Sequence, residues 1–578
     1  MDRNGRKRTF IYDALNRATQ ERWHHPVTDA VLRTIASTYD RLDRLTDLSD
    51  PDATLNFSRH AVPDGPMLSA RTTYPGRGAR TLTYAYDAAG RWIRRNHLAT
   101  LDVRGTRDVA GHLRVLTGEV NSTNQWRVEW WRDARGAVTE QRRFANLSGT
   151  LPVGNTVFTH EACGCGLAAI QPRDALNQPL PGATLSFTRD GEGGITGLLD
   201  GAKALAFTYD AAAQLTGATS NGVPTESYTY DANGNRLTSH LQPNYTTSPG
   251  NRLMGSTHYA LAYDDEGNLV TKSNTFTGDV FAFTWDHRNR LTQVLKTNAT
   301  LPAINFVTEH RYDALDRRIA VIRSAQTNWT YYDGAQPIGD FLNSETTPVE
   351  VFFSGERLDD LHVVYRRSEG FYWTLTDHLG TVRRVLKTNG VEVAALQYDS
   401  YGNLLAATGT QPGAAGRFGF AGRELDADTG LYYNRARYYD PDLGRFISVD
   451  PIGFDAGDGN FYRYVGNMPV TFRDPLGLVT LTEFNSLTAK EVLTLSAKCA
   501  AFGAAAGTLV GVALYGLDVP GAGYGGAAAG FGAAAVCLKI SKPPAPPAPP
   551  GPPPYRPPPL DTSAEAAARR YINDKAGW

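Results

Sequence analysis

One four-residue pattern occurs twice near the end of the recognisable sequence: Asp450-Pro451-Ile452-Gly453 and Asp474-Pro475-Leu476-Gly477, 24 positions apart. Two carboxylates held close together do not both ionise; one keeps a proton and serves as an acid while the other activates water. A peptide of the same chain held beside such a pair has a very high effective concentration, so a modest catalyst suffices for one turnover. Asp-Pro-x-Gly is equally a turn sequence, with Asp as the cap and Gly in the left-handed position, and the residues alone leave both readings open. Arg437 and Arg445 are the candidate charge partners, and Asp440 is an alternative carboxylate. His378, within Asp377-His378-Leu379-Gly380, reads as structural. The sequence has no Gly-x-Ser-x-Gly elbow, His-Glu-x-x-His or Walker loop, so neither a second catalytic centre nor a cofactor is expected. Cys163 and Cys165, with His160 close in sequence, fall short of the four ligands of a structural zinc site, and a tight Gly-Cys-Gly turn is expected there in place of a metal.

The elements that must position these residues come from a repeat. An aromatic-Asp pair is followed by a turn residue and then Arg or Asn with Leu, as in Tyr12-Asp13-Ala14-Leu15-Asn16-Arg17, Tyr230-Asp231-Ala232-Asn233-Gly234-Asn235 and Trp285-Asp286-His287-Arg288-Asn289-Arg290. From Tyr209 to Tyr312 the copies are spaced by 21 to 33 residues. Residues upstream of each pair alternate apolar and polar, as in Thr81-Leu82-Thr83-Tyr84-Ala85-Tyr86, which predicts a half-buried strand. The Asp then caps a turn and Gly or Asn takes the φ > 0 position. Each unit is thus a hairpin that cannot bury its own apolar face, so successive hairpins must stack into one continuous sheet. Composition agrees: 57 Gly and 28 Tyr with 4 Cys and 4 Met favour many short strands and turns. With 58 Lys+Arg against 59 Asp+Glu there is no excess charge for a nucleic-acid partner.

This repeat resembles the YD repeats of Rhs proteins, of the C subunit of Tc toxins and of the teneurin shell, over residues 1 to about 478. From Thr374 the block Asp377-His378-Leu379-Gly380, Gly430-Leu431-Tyr432-Tyr433-Asn434-Arg435-Ala436-Arg437-Tyr438-Tyr439-Asp440-Pro441, Gly444-Arg445-Phe446 and the two Asp-Pro-x-Gly copies is similar to the Rhs repeat-associated core domain. The resemblance implies an all-β fold: a spiralling sheet forming a hollow shell around a short non-β variable tail. It also implies self-cleavage by Asp450 and Asp474, between Leu478 and Val479, releasing the tail inside the shell. The organisation expected is a repeat shell at 1–373, the core domain at 374–478, a variable tail at 479–542, a Pro-rich spacer at 543–560 and a terminal helix at 561–578.

The tail carries no His, Asp and Glu cluster of a nuclease. Residues 499–537 are Ala/Gly-rich and nearly uncharged, which allows either membrane contact through small-residue helices or a segment without a stable fold. No apolar stretch follows the basic residues near Met1, so no Sec-type signal is expected, and a dedicated secretion system or cell-surface attachment is the expected route. The expected partners are the chain's own tail, an upstream shell component and an immunity protein. Two other readings compete: a non-catalytic adhesion scaffold, and a truncated remnant of a longer Rhs protein.

Overall fold

A computed structural model describes residues 1–478 except 63–64, 98–100, 121–123, 163–165 and 192. The expectations for Cys163 and Cys165, for Val479 and for the segments 479–542, 543–560 and 561–578 lie outside the described residues. The described residues form strands and short 3-10 turns, with no α-helix among them. A 20-stranded sheet runs from Lys7 to Ser239, a 16-stranded sheet from Thr246 to Thr408, and a four-stranded sheet from Glu424 to Phe446. Within each sheet every strand pairs antiparallel with the next in the chain. The second sheet passes through residue 374 without interruption, so the compact terminal block begins after Thr408, beyond the last repeat hairpin.

The repeat folds as its residue types require. At Asp313 the carboxylate Oδ1 accepts the backbone N–H of Leu315 (2.9 Å) and of Arg317 (3.0 Å), while Oδ2 accepts Nε of Arg317 (2.7 Å). Asp316, the third residue after Tyr312-Asp313 begins to turn, has φ 60°, and the same place is taken by Asn16, Asp43, Gly90, Gly234, Gly267, Asn289 and Gly402, all at φ > 0. The ladder shifts register at the aromatic, between Arg311 and Tyr312 as between Ile11 and Tyr12 or Thr284 and Trp285. Each shift leaves one extra residue just beyond the turn, Ile319, Thr19 and Thr292 respectively, a β-bulge that follows the left-handed turn residue. Where Asn replaces Arg, as at Asn235, Asn268 and Asn403, its amide takes the place of the guanidinium on the same carboxylate oxygen.

The aromatic has a second task that its apolar character does not reveal. Its polar tip donates to the carbonyl that opens the strand after the preceding turn: Tyr39 to Ala18, Tyr230 to Leu215, Trp285 to Leu269, Tyr312 to Leu291 and Tyr332 to Arg318, at 2.7–2.9 Å. Each unit is thereby tied to the one before it, and a buried carbonyl at the bulge is satisfied.

The second sheet winds back over the first in chain order. Asn4 meets the turn at Asp264, Arg6 the turn at Asp286, Arg95 meets Asp333, Arg107 meets Glu356, and Glu226 accepts the backbone N–H of Ser400. Apolar clusters fill the seam. Leu101, Leu116, Trp126 and Trp130 of the first sheet pack with Phe353, Val363 and Trp373 of the second. We expect Asp313→Ala to lower the free energy of unfolding by about 3–5 kcal/mol, because it strips a buried cap and leaves the Arg317 charge without its partner. A chemical-denaturation midpoint checks this, with the less buried counterpart Asp13→Ala expected to shift it far less.

Candidate active site

The terminal block places the two Asp-Pro-x-Gly motifs on one hairpin. Strands Leu431–Asn434 and Arg437–Asp440 pair directly and turn through Arg435, at φ 57°. Four successive carbonyls of the last described segment are taken by four successive residues of that turn. The amide of Asn434 donates to Asp474 O (2.7 Å), the guanidinium of Arg435 to Pro475 O, the backbone N–H of Ala436 to Leu476 O (3.1 Å) and Nε of Arg437 to Gly477 O (2.5 Å). Gly477 is required on two counts. It has φ 67°, and a Cβ there would stand 2.4 Å from the carbonyl oxygen of Asn434. Asp474 Oδ1 accepts the N–H of Gly477 (2.8 Å) and of Leu478 (3.3 Å). Asp450 Oδ1 accepts the N–H of Ile452 (3.1 Å), and Gly453 has φ 56°. Both motifs are therefore turns, as their residue types allow.

They are also brought together. One nitrogen, Nη2 of Arg437, lies 2.8 Å from Asp450 Oδ2 and 3.2 Å from Asp474 Oδ2. Nη1 of the same residue donates to Phe461 O (3.0 Å), and the guanidinium lies 3.6 Å over the ring of Phe446. Arg437, Asp450 and Asp474 are 3%, 5% and 3% exposed, so the three charges sit away from water. Burial pushes the Asp450 carboxyl up to about 7, the Arg437 guanidinium opposing it and the Asp474 charge adding to it. The two carboxylates share the Arg437 Nη2 nitrogen, and the Asp474 charge disfavours ionisation of Asp450 beside it. The arrangement therefore suits one proton shared by two acids, the state a carboxylate pair needs to act as acid and base together.

Of the two arginines named from sequence, the fold brings Arg437 to the pair. Arg445 donates to Asn251 O and lies over Tyr462, and Asp440 binds Lys272 Nζ (2.7 Å) while capping the N–H groups of Asp442 and Leu443. Both secure the block against the second sheet. His378 Nε2 contacts Val470 O (2.8 Å), its ring set edge-on to Phe187, which is a structural role. His160 contacts Val138 O. Asn434 and Arg435 were not foreseen. In the sequence they are two donors in a run of aromatics, and nothing local ties them to carbonyls 40 positions later.

Residues 187–470 match the family model described as the teneurin YD-shell. The tRNA nuclease WapA of Bacillus subtilis (strain 168) is 30% identical over 43% of this chain and 11% of its own length. A probable deoxyribonuclease, RhsA of Dickeya dadantii (strain 3937), is 27% identical over 68% of this chain and 29% of its own length. Among solved structures, the complex titled TcdB2-TccC3-Cdc42 is 17% identical with a TM-score of 0.40, covering 83% of this chain and 30% of that one. The chain thus spans about a tenth to a third of the length of these proteins. Its capped and tethered aromatic-Asp hairpins and the two long sheets that they build accord with the likeness of residues 187–470 to the teneurin YD-shell.

Proposed function

We propose that the chain is a shell that encloses the segment after Leu478 and frees it by one aspartyl self-cleavage at the Leu478–Val479 bond. The observation that carries this reading is the bridging of Asp450 and Asp474 by Arg437, with Asp474 also holding the N–H of Leu478. In the reaction the ionised carboxylate takes a proton from water, which adds to the Leu478 carbonyl carbon. The protonated partner gives its proton to the departing nitrogen of Val479 as the C–N bond breaks. Arg437 keeps the pair singly protonated and, through Gly477 O, pins the strand that presents the bond. The relatives are named for nuclease activities, whereas the sequence of 479–578 has no nuclease cluster, so the released segment is proposed as an effector of another chemistry, with membrane contact through 499–537 as one form.

A denaturing gel of the purified protein tests this. We expect a fragment corresponding to residues 479–578, lost in Asp450→Asn and in Asp474→Asn; intact chain in every preparation would sink the proposal and leave the adhesion scaffold. The rate has a definite pH dependence. A carboxyl raised to about 7 in the folded chain holds its proton below that value and loses it above, so the stability it contributes is full at acid pH and is lost as pH rises through about 7. Single-turnover cleavage should accordingly slow as pH rises through about 7, and a rate that kept climbing there would contradict the shared proton. Replacing Arg437 with Gln removes the charge that balances the second carboxylate and should cut the cleavage rate by about 100-fold or more, the order found on losing one electrostatic donor in a buried site.

A further inference from the structure

The two long sheets have four end strands, and three of them are guarded against further pairing. The first strand of the 20-stranded sheet, Lys7–Tyr12, carries Lys7 and Arg8. Its last, Arg236–Ser239, is four residues long and has the N–H of Tyr245 on Leu237 O (3.0 Å). The 16-stranded sheet opens on Thr246–Ser248, three polar residues. It closes on Leu404–Thr408, which has no such device. That strand reads Leu404-Leu405-Ala406-Ala407-Thr408, and no charged residue stands between Asp399 and Arg417. Leu404 is 48% exposed and Leu405 59%. One side pairs with Glu392–Tyr398, and among the described residues no strand pairs with the other. Beyond Thr408 the chain turns back, placing the N–H of Gln411 on Val393 O (2.8 Å), and leaves that side open. An uncharged apolar edge of this kind is a template for one more strand.

The chain itself holds a suitable strand within reach. Asn403, just before the edge strand, donates to Pro441 O (3.0 Å), and the Tyr439 hydroxyl donates to Tyr401 O (2.7 Å). The strand Arg437–Asp440 therefore has one end against this turn and the other, at Arg437, bonded to Gly477 O. Four extended residues separate those ends, about 14 Å. The residues after Leu478 are Val479-Thr480-Leu481-Thr482-Glu483-Phe484, in which Val479 and Leu481 alternate with Thr480 and Thr482. That is the pattern of a half-buried strand, and six extended residues cover about 20 Å. On the receiving side, Leu405 lines a cavity of about 370 Å³ together with Leu205, Phe207 and Leu241. Directly opposed residues of paired strands share a face, so an apolar side chain opposite Leu405 meets that cavity.

We propose that residues 479–484 add to Leu404–Thr408 as the next strand of the 16-stranded sheet, with Val479 and Leu481 on the cavity face. The tether favours this occupant over a second copy, because a segment joined a few residues away meets the edge at an effective concentration on the order of millimolar. The docking stands with the Leu478–Val479 bond intact or cut. Where the bond is cut, the added strand keeps the freed segment on the shell.

Hydrogen–deuterium exchange read by mass spectrometry on the full chain tests this. The variant Thr480→Pro/Leu481→Pro removes two consecutive N–H groups, so one of the two faces the edge in either register. We expect exchange in Leu404–Thr408 to be about tenfold faster in the variant than in the parent protein, with Glu392–Tyr398 unchanged. Leu405→Asp, a change at an exposed side chain, should conversely speed exchange at 479–484. Equal exchange in the parent and in these variants overturns the proposal. Protection that survives the prolines and fades on dilution overturns it as well, since a second copy would then hold the edge. A denaturing gel reads cleavage alone, so the docking and the self-cleavage fail separately.

Discussion

Everything described here depends on one carboxylate per repeat. The Asp that follows each aromatic closes a turn whose backbone donors have no other partner, and its second oxygen holds the Arg or Asn four residues later. That residue does more than neutralise the cap. Arg17 reaches Asp40 O at 3.0 Å and Arg290 reaches Asp313 O at 3.0 Å, so each turn is bonded to the next. The aromatic ties the same unit backwards to the previous one. In the sheet of 20 strands, antiparallel pairing joins every hairpin to the next, and at turns such as those after Tyr39 and Tyr230 the aromatic tether adds a second link.

Winding one sheet over another solves the problem that a single sheet leaves open, namely the second apolar face and the row of polar turn ends. The seam uses both at once. His287 stacks on Trp23 while its ring nitrogen contacts His24 O (2.9 Å), and Arg288 bridges Glu21 and Asp316. Charge inside such a seam is costly unless it is paired, and here it is: burial alone would raise the Glu21 carboxyl, yet the charge of Arg288 holds it down at about 2. The terminal block then reaches across the shell turns, with Asn460 on Asn233 and Asn235, Asn467 on Gly234, and Tyr462 on Gly267.

That reach explains the burial of the carboxylate pair. Asp450 and Asp474 stand in turns that any exposed loop could form, but the strands beneath them are lined by Tyr432, Tyr439, Phe446 and Tyr464, all nearly inaccessible. Removing water from around the pair raises the Asp450 carboxyl, and the Asp474 charge beside it acts in the same direction. The same contacts that complete the fold thus bury the carboxylate pair and hold the Asp450 carboxyl well above its ordinary range.

The sequence by itself determined the local structure. Period-two alternation named the strands, Asp with Gly or Asn named the turns, and the dense block after Thr374 named the Asp-Pro-x-Gly carboxylates, because each signal is a matter of residue type within a few positions. Even so, Arg445 and Arg437 were both possible charge partners, and Asp440 stood as an alternative carboxylate. Only the tertiary structure decided among them, by setting Asp440 on Lys272, Arg445 on Asn251 and Arg437 between Asp450 and Asp474. It likewise decided that one Tyr-Asp-Ala-Leu turn is core and its near twin is surface. The physical reason is shared: burial and pairing are set by which segments, hundreds of residues apart, the winding of the sheet brings together, and no local pattern encodes that.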